Sequence, residues 1–503
     1  MKKIISFFLV LTLSVALCSC GNNNGDTDET TEKEYKVPTP VVSSDISIPY
    51  IGTEKLDPYT SKSEVNIDVF SAVFEGLYEA TTDCKGAPVL AETGKNDGNK
   101  VTVTLKKGVL FSDGTPLTAK QVESSFYKAK NSSRYSAQLE NIIDFSYNDN
   151  YTLVFTLSYP DSFALNTLDF PIVSGESGKY NGTGKYIISY LDGKPYLEIN
   201  KKCRNYKKDA REQIALYDMA GVSSPVYPFK ANEISVYKNT LSDGKYSNLS
   251  SKTVSVPTNN FVYAGLNMNW AGSVLSMEFV RKAINIGIDR TAVAASSFLG
   301  QCSATATPFR SECYKLKGVE VCELDGNLER AIKLLEDNGY KKINKSGVRT
   351  NGSSALNVSV LVCGNNQYKV DVAESLKETL KTLGFGVTVE KLGKKEYLSA
   401  LKDGYFDIYI GETVLTKNYD LSEFFSSNGA LNYGIDSDFY EFYNSFYKGN
   451  ISLQKFVEAF YSEVPFIPLF YRKSVVSVNP NIDGVTNSEI LYKNIDSWKS
   501  GKK

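Results

Sequence analysis

Apolar residues in the second half of the chain recur first at the spacing of a helix and then at the spacing of strands. Leu328, Ala331 and Leu335 fall on one helical face, because positions i, i+3 and i+7 stack along turns of 3.6 residues. Gly339 follows at a position where helices commonly end in a left-handed conformation. The pattern therefore predicts a helix that begins near Leu328 and ends before Gly339.

Beyond that helix, strand and helix patterns alternate. Period-two alternation over 356–362 predicts a strand, the helical period over 372–383 predicts a helix, and 387–389 begins a second strand. A second helix over 394–401 and a third strand over 406–410 complete a βαβαβ unit. Such units form parallel sheets with right-handed crossovers, so this region is predicted to be α/β.

The carboxyl ends of the parallel strands indicate a candidate binding crevice, because ligands of open α/β sheets lie at that edge. In this chain those ends are 363–367 and 411–413. The side chains they offer are Asn365, Asn366, Glu412 and Thr413. The alternative is an ordinary pair of solvated loops.

The first third of the chain has a mixed pattern with hairpins. Short strands are predicted at 47–52, 101–105 and 151–157, and an apolar helical face at 67–78. The run 118–121, Thr-Ala-Lys-Gln, has the spacing of a capping box and predicts the start of another helix. This part is therefore expected to be α+β.

The N-terminus has the features of an export signal. Two lysines precede the apolar run 4–17, which is too short to cross a hydrocarbon core of about 30 Å comfortably. The run ends in Leu-Cys-Ser-Cys-Gly, which resembles a bacterial lipobox, and Cys20 fits best because the small Ser19 precedes it. We predict a signal peptide over 1–19 and an acylated Cys20. The alternative is an ordinary signal peptide with incidental cysteines.

The segment 20–44 is rich in Asn, Asp, Glu, Thr and Pro. It cannot bury enough apolar surface to offset the entropy of ordering it. We interpret it as a flexible acidic tether between a lipid bilayer and a folded body, since two acyl chains hold a protein on a membrane where one is marginal.

Composition excludes several classes of function. The formal net charge is −1 and no basic block occurs, whereas nucleic-acid-binding proteins usually carry a clustered cationic face. Histidine is absent, which excludes Ser-His-Asp and Cys-His catalysis and every histidine metal ligand. About 460 residues follow the tether, too many for one ordinary core, so two or more lobes are expected.

The cysteines do not have the spacing of a zinc site. Those beyond the lipobox are Cys84, Cys203, Cys302, Cys313, Cys322 and Cys363. None forms a Cys-x-x-Cys pair, so no metal site is expected. Cys302, Cys313 and Cys322 are close enough in sequence for one local disulfide, which could persist outside the membrane. Free thiols are the default expectation.

Several motifs follow one another along the mature chain. They include Lys-Leu-Asp-Pro at 55–58, Val-Phe-Glu-Gly-Leu-Tyr at 73–78, the strand-turn-helix segment 105–119, Gly-Thr-Gly-Lys-Tyr at 182–186, the helix 279–290 and the strand 464–471. In this order they resemble the family 5 solute-binding proteins of ATP-binding-cassette (ABC) importers, a cluster that includes oligopeptide- and dipeptide-binding proteins. One departure is Lys185, which stands where the family usually has proline.

The resemblance implies an α/β, two-lobed, hinged fold like that of periplasmic binding proteins, with an extra α+β subdomain in the first lobe. We place lobe I at 45–265, with the subdomain at about 65–175. Lobe II then covers 266–470 and contains the βαβαβ unit, and residues 471–503 return to lobe I.

The resemblance also implies a function: capture of a small solute between closing lobes and delivery to membrane permease subunits, without a cofactor. Oligopeptides are the first expected ligand class, and oligosaccharides, opines and metal chelates are alternatives. A signalling receptor that closes without transport is a further alternative. An enzyme such as a glycosidase is not expected, because no acid pair stands in a recognisable catalytic setting.

Particular residues follow as candidate ligand contacts. They are the backbone of Ile51 to Thr53 and of Glu412 to Val414, and the rings of Trp270 and Tyr419. Asp420 matches the family's acid that pairs with a peptide ammonium group, although Leu421 replaces the usual proline. The alternative for Asp420 is a helix N-cap, and that for Trp270 is a core position.

Overall fold

The computed structural model describes residues 39–246, 248–270, 272–435 and 438–501. The predicted signal peptide at 1–19, the lipidation site Cys20 and residues 20–38 of the predicted tether lie outside this part of the chain. Of the remaining tether, Ser44 donates a hydrogen bond from its hydroxyl to the Gln213 carbonyl at 2.9 Å. The folded body therefore begins close to the predicted end of the tether.

The helices and strands of the described residues are numbered in chain order. The strands are β1 Ser47–Tyr50, β2 Tyr78–Glu79, β3 Ala87–Pro88, β4 Ala91–Asp97, β5 Lys100–Leu105, β6 Ile142–Tyr147, β7 Thr152–Leu157, β8 Tyr186–Leu191, β9 Lys194–Ile199, β10 Gln213–Asp218, β11 Val236–Asn239, β12 Thr253–Leu266, β13 Cys302–Ala304, β14 Lys342–Ile343, β15 Arg349–Thr350, β16 Asn357–Cys363, β17 Gly386–Leu392, β18 Ile408–Val414, β19 Phe466–Val478, β20 Ile482–Asp483 and β21 Lys499–Ser500. The α-helices are α1 Glu64–Phe70, α2 Ala119–Lys130, α3 Val226–Lys230, α4 Glu278–Gly287, α5 Arg290–Ser296, α6 Leu328–Asp337, α7 Gln367–Thr382, α8 Lys394–Asp403, α9 Ser422–Phe425, α10 Asp438–Tyr447 and α11 Leu453–Glu463.

The predicted βαβαβ unit is confirmed. Strands β16, β17 and β18 are parallel, with α7 and α8 as their connections. Val360 pairs with both Val389 of β17 and Ile408 of β18, so β16 is the central strand of the three. The unit forms one end of a mixed sheet of order β11-β19-β12-β18-β16-β17. The predicted helix at Leu328 is also confirmed, as α6.

Helix α1 is shorter than the apolar face at 67–78 predicts. After α1 the carbonyls of Ala72 and Val73 accept hydrogen bonds from the N–H groups of Tyr186 and Gly184, each at 3.0 Å. These carbonyls therefore bond to the loop at 182–186 and do not continue the helix. The contact joins residues far apart in the sequence, so the local apolar period cannot predict it. The predicted capping box is confirmed at the start of α2.

Two large apolar cores define two lobes. The first core gathers buried residues from 46–256 and from 476–498, and the second gathers residues from 241–475. We call the residues packed on each core the first lobe and the second lobe. The two-lobed α/β architecture is confirmed, and the lobe boundaries stay predictions.

Strands β12 and β19 run through both lobes. In β12, Val256 belongs to the first core and Val262 to the second, and β19 crosses between the cores in the same way. The pairing of the two strands shifts register between Pro257 and Asn260. Proline lacks the N–H that a regular ladder needs, so the sheet is interrupted at the point where it passes from one lobe to the other.

A third cluster, which we call the aromatic junction, joins the lobes around Phe163, Phe309 and Tyr419. Phe163 precedes Ala164 and Leu168 of the first core, and its ring centroid lies 5.5 Å from that of Tyr419 and 5.9 Å from that of Phe309. Beside these rings Asn418 donates a hydrogen bond from Nδ2 to Asp161 Oδ2 at 2.8 Å. The lobes are therefore in contact on this side of the molecule.

Candidate functional site

A cavity of about 510 Å³ lies in the first lobe beside the loop that follows β18. This volume falls within the range of roughly 300–1,000 Å³ that is typical of small-ligand pockets. Its walls come from α1, the β2–β3 hairpin, the turn at 182–186 and the segment around Ile490. Among the described residues that line it, Lys417 comes from the loop after β18, a strand whose Ile408 and Ile410 pack on the second core. The cavity therefore reaches from the first lobe to the loop that follows β18.

Glycine allows the turn at 182–186 to approach α1 closely. A β-carbon on Gly182 would lie 1.9 Å from the carbonyl oxygen of Val73, which no side chain could tolerate without backbone movement. Lys185, the residue that replaces the family's proline, places Nζ 2.5 Å from Asp496 Oδ1. The turn thus shapes one wall of the cavity and is fixed there by an ion pair.

A bidentate ion pair crosses the cavity wall. Arg204 Nη1 lies 2.5 Å from Glu75 Oε2, and Arg204 Nη2 lies 2.8 Å from Glu75 Oε1. Thr183 donates a further hydrogen bond from its hydroxyl to Glu75 Oε2 at 2.7 Å. The two charged side chains are only 20% and 21% exposed. Each has lost most of its contact with water, and the opposite charge of the other offsets that cost.

Two acids and one lysine meet where the second lobe reaches the cavity. Burial raises the pKa values of both Asp169 and Glu489, and the nearby Lys417 ammonium acts in the opposite direction on each. Lys417 Nζ is 3.9 Å from Glu489 Oε2, and Asp169 accepts a hydrogen bond from Gln138 Nε2 at 2.5 Å. These partly compensated charges are suited to a ligand that brings charges of its own.

The complete lining carries charges of both signs beside aromatic surface. The cations are Lys106, Arg134, Lys185, Arg204, Lys417 and Lys493, the acids are Glu75, Glu79, Asp169 and Glu489, and the rings are Phe70, Phe74, Tyr78 and Tyr135. Within the described ranges, no group of three or more histidine, cysteine or acidic residues is arranged to hold a metal ion.

Tyr419 lies in the aromatic junction and not on the wall of this cavity. It is buried and has a φ of 57°, a left-handed conformation that is uncommon outside glycine. Its hydroxyl oxygen lies 3.5 Å from Cys84 Sγ of the first lobe. In this structure the ring is therefore part of the contact between the lobes.

The Asp420 carboxylate is already engaged by second-lobe groups. Tyr443 and Tyr447 donate hydroxyl hydrogen bonds to Oδ1 and Oδ2 at 2.8 and 2.9 Å. The N–H of Ser422, the first residue of α9, donates to Oδ1 at 2.8 Å. Asp420 therefore bonds the first N–H of α9, but it is not the N-cap that the alternative predicts, because Leu421 occupies that position. Both carboxylate oxygens already accept hydrogen bonds from within the protein.

Glu412 stands in a buried ion-pair network. Its carboxylate lies 2.8 Å from Lys369 Nζ and 2.7 Å from Arg472 Nη2. Burial would raise the Glu412 pKa, but the two cations hold it below its ordinary value. Arg472 also donates to the Ser242 hydroxyl at 3.2 Å. The side chain of Glu412 is thus committed to holding elements of the protein together.

The loop at Ser242 covers the carboxyl edge of the parallel strands. Asn366 caps α7 by accepting from the Lys369 N–H, and it donates from Nδ2 to the Ser242 carbonyl at 3.1 Å. Asn365 is exposed and accepts from the Lys394 N–H at 2.9 Å. The structure therefore brings Asn366 close to the Glu412 network, as the crevice prediction requires, but fills the space between the strand ends with a loop.

The predicted backbone contacts, Ile51 to Thr53 and Glu412 to Val414, differ in the hydrogen-bonding groups that they leave free for a ligand. The N–H and carbonyl of Ile51 are both bonded to the Asn66 side chain, at 2.8 and 3.1 Å, and Thr53 lies in an exposed turn. Thr413 pairs with Phe261 of β12. Within the described ladders β16 pairs with β18 at Ile408 and Tyr409 alone, so the last residues of β18 extend past β16.

Trp270 is not brought together with the other candidates. It is 49% exposed and follows the carboxyl end of β12, beyond Leu266. Leu266 pairs with Ile408 at the start of β18, whereas Asn260 pairs with Val414 at its end. A strand rises about 3.4 Å per residue, which puts Trp270 roughly 20 Å or more from the end of β18.

The charged residues that line the cavity were largely missed by sequence reasoning. Glu75 stands inside the motif at 73–78, and Lys417 is close in sequence to Tyr419, so both could have been found from the resemblance. Asp169 and Glu489 have no local pattern that marks them. They become neighbours of Lys417 only because residues far apart in the chain converge on the cavity.

Asp161, at the contact between the lobes, is expected to make stability depend on pH. Burial raises its pKa to about 6, although hydrogen bonds from Asn418 and the Phe163 N–H oppose the shift; Asp420 and Lys315 are the charges that face it. A raised pKa means that the protonated acid stabilises the fold. This stabilisation is complete below about pH 4 and is lost as pH rises through about 6.

The Asp161→Asn variant keeps an oxygen acceptor and removes the charge. We expect it to be more stable than the unaltered protein by about 1–2 kcal/mol at pH 7.5 and equally stable near pH 4, in urea unfolding at both values. Asp144→Asn, at an exposed position, is the matched control. A stability difference for Asp161→Asn that does not change with pH would contradict the expectation.

Comparison with known proteins supports the fold. The oligopeptide-binding protein AppA of Bacillus subtilis is 22% identical over 431 residues, which cover 77% of this chain and 75% of AppA. The crystal structure of Bacillus subtilis AppA with a nonapeptide superposes with a TM-score of 0.56 at 19% identity, covering 92% of this chain and 100% of that one. A nickel ABC transporter structure from Bacillus halodurans gives a TM-score of 0.69 at 17% identity, covering 89% and 98%.

The family is shown by a match to its sequence profile. Residues 85–433 match "Bacterial extracellular solute-binding proteins, family 5 Middle". In the described part of the chain, no helix is both long enough and apolar enough to span a bilayer. The matched segment includes most of the predicted subdomain, β12 and the whole βαβαβ unit. The chain therefore belongs to the family 5 bacterial extracellular solute-binding proteins, which bind solutes for ABC transport and are not a catalytic family.

Proposed function

We propose that this protein is a lipid-anchored receptor that captures short peptides in the cavity beside Lys417 and presents them to ABC permease subunits. The acyl anchor would be carried by Cys20. Closure would occur by bending of β12 and β19 near the register shift at Pro257, which lies between the parts of β12 packed on the two cores.

The observation that carries this proposal is the balance of charge around an aromatic-lined cavity. A short peptide brings an ammonium group, a carboxylate and apolar side chains. Asp169 and Glu489 offer negative charge to the ammonium group, and Lys417 offers positive charge to the carboxylate. Phe70 and Tyr135 supply apolar surface for side chains of varied shape. A cavity of about 510 Å³ suits a short peptide better than a long one.

The ends of the β18 ladder suggest how the peptide backbone could be held. Beyond Tyr409, β18 continues past its described pairing with β16 and ends at Val414, which is 70% exposed. Once the loop at Ser242 moved off the strand ends, this edge could pair with an extended peptide through main-chain hydrogen bonds. This pairing would recognise the backbone and leave side-chain identity open. Oligopeptides are therefore favoured over oligosaccharides and opines, which lack a row of amides.

Calorimetric titration tests the proposal. We expect a mixture of short peptides with free termini to bind with micromolar or tighter affinity, and a nickel–histidine complex to give no binding heat. The peptide assignment fails if the nickel complex binds and the peptides do not. It fails equally if an oligosaccharide or an opine is the solute that binds.

A further inference from the structure

Two buried thiols from different lobes face each other in the aromatic junction. Cys84 lies in the hairpin between β2, whose Tyr78 packs on the first core, and β3, while Cys313 lies between β13 and α6, which both pack on the second core. They are 3% and 2% exposed, and both are free. Cys302, Cys313 and Cys322 are all free thiols, as the default expectation has it, and the alternative of a local disulfide among them is not realised in this structure. Cys313 has its contact across the lobes instead.

The backbone around the two thiols places them opposite each other. The N–H of Tyr314 donates to the carbonyl of Asp83 at 3.1 Å, so the residues adjacent to this bond, Cys84 and Cys313, lie side by side. This bond joins the peptide group between Asp83 and Cys84 to the one between Cys313 and Tyr314. Disulfides span Cα separations of about 4.4–6.8 Å. Their sulfur atoms are also within hydrogen-bonding reach of each other.

Neighbouring contacts hold both thiols in place. Asn166 donates from Nδ2 to the Cys84 carbonyl at 3.0 Å, and the Cys84 sulfur lies 3.5 Å from the Tyr419 hydroxyl. On the other side the Cys313 N–H donates to the Arg310 carbonyl at 3.0 Å. The pair is therefore organised by packing from both lobes, and it exists as a pair only while the lobes touch.

We propose that Cys84 and Cys313 form a reversible disulfide that locks the two lobes together. The site is a covalent latch: its reduced form lets the junction open and close, and its oxidised form ties the first-lobe hairpin to the second lobe. The bond itself does not depend on the identity of the solute. Its consequence, slower exchange of the bound solute, rests on the proposed function.

The oxidant is a small disulfide, such as glutathione disulfide. When the junction opens, Cys313 loses its proton and its thiolate attacks one sulfur of the small disulfide, which forms a mixed disulfide and expels a thiolate that takes up that proton. When the junction closes, Cys84 loses its proton, attacks the Cys313 sulfur and releases the second small thiol. Two protein thiols are thereby oxidised by two electrons, and one small disulfide is reduced to two thiols.

The charges near Cys313 favour it as the first nucleophile. In the closed junction the hydrogen bond with Cys84 lowers the pKa of Cys313, burial opposes the shift, and the Lys315 N–H and ammonium lower it further. The Lys315 groups are two residues away on the same segment, so they stay beside Cys313 when the junction opens and Cys84 moves away. The pKa of Cys84 is raised by the same hydrogen bond and by burial. A thiolate is the attacking species in exchange, so Cys313 is the thiol that reacts first and Cys84 is the resolving thiol.

Peptide mapping of the full chain after incubation with glutathione disulfide tests the latch. Remaining thiols are alkylated before digestion, and we expect one linked peptide that contains Cys84 and Cys313. Amide hydrogen exchange over 83–86 and 309–316 should slow at least tenfold in the oxidised protein and recover after reduction. Both readouts are made without a solute, so failure of peptide binding in calorimetry leaves them interpretable.

Matched variants separate the latch from general oxidation. Cys84→Ser and Cys313→Ser should each abolish the linked peptide and the change in amide exchange, while Cys302→Ser, at a half-buried thiol outside the junction, should leave both unaltered. Two single variants at the junction keep the test valid if one folds poorly. Three results would overturn the proposal. The first is a disulfide between other cysteines, and the second is glutathione adducts that persist on both Cys84 and Cys313. The third is a linked Cys84–Cys313 pair whose formation leaves amide exchange unaltered.

Discussion

Arg204→Ala is expected to lower the free energy of unfolding by about 2–4 kcal/mol, because it leaves Glu75 in the cavity wall without its charge partner. The wild-type pair is bidentate, with N–O distances of 2.5 and 2.8 Å. Thr183 would still donate to Glu75, but a hydroxyl cannot replace a full positive charge. Urea unfolding followed by circular dichroism measures the loss.

An exposed ion pair provides the control for that variant. Lys95 and Asp97 are 75% and 73% exposed at an N–O distance of 2.8 Å, and exposed pairs contribute about 1 kcal/mol or less. Lys95→Ala should therefore have little effect. If Arg204→Ala and Lys95→Ala lower the free energy of unfolding by similar amounts, burial does not increase the contribution of the Arg204–Glu75 pair to stability.

Lys417→Ala is expected to weaken binding of short peptides about tenfold to a hundredfold, equivalent to about 1.4–2.8 kcal/mol. Lys417 is the second-lobe residue that lines the cavity in the described structure, and it lies near both Asp169 and Glu489. Its removal takes away the cation offered to the peptide carboxylate and the contact made on closure. Calorimetric titration with a peptide that has free termini measures the change.

The controls for Lys417 separate charge from general surface effects. Lys402→Ala removes an exposed lysine at the end of α8 and should leave the affinity unaltered. Lys417→Arg keeps the charge and should retain most of the binding. If Lys417→Ala binds the peptide as tightly as Lys402→Ala does, the cavity beside Lys417 is not the peptide site.

The sequence could predict the elements whose signal is local. The βαβαβ unit, α6 and the capping box of α2 follow from side-chain period and from hydrogen bonds between residues a few positions apart. The two-lobed architecture needed the ordered motifs, because no local pattern encodes how β12 and β19 pass between cores.

Local sequence patterns could not predict contacts between residues that are far apart in the chain. The apolar face at 67–78 has a helical period, yet the chain leaves the helix because Ala72 and Val73 bond to the turn at 182–186. Asp420 likewise has its partners in α10, at Tyr443 and Tyr447. Neither partner can be identified without the fold.

The ion pairs of the cavity also could not be predicted from local sequence patterns. Glu75 meets Arg204, and Lys417 meets Glu489, across long stretches of sequence. Each is an ordinary surface residue by its local pattern, and only the fold gives it a buried partner. The crevice at the strand ends stays a prediction: the ends converge near Asn366 and Glu412, and the loop at Ser242, which no local pattern places there, bonds to Asn366 and to Arg472.

In the proposed function, a small cavity recognises a short peptide through both of its terminal charges. The most direct measurement is calorimetric titration with one tripeptide of apolar side chains, compared with the same tripeptide acetylated at the N-terminus and amidated at the C-terminus. We predict that blocking both termini weakens binding at least a hundredfold, because neither the acids nor Lys417 then has a charged partner. Equal affinity for the free and blocked tripeptides would contradict the account.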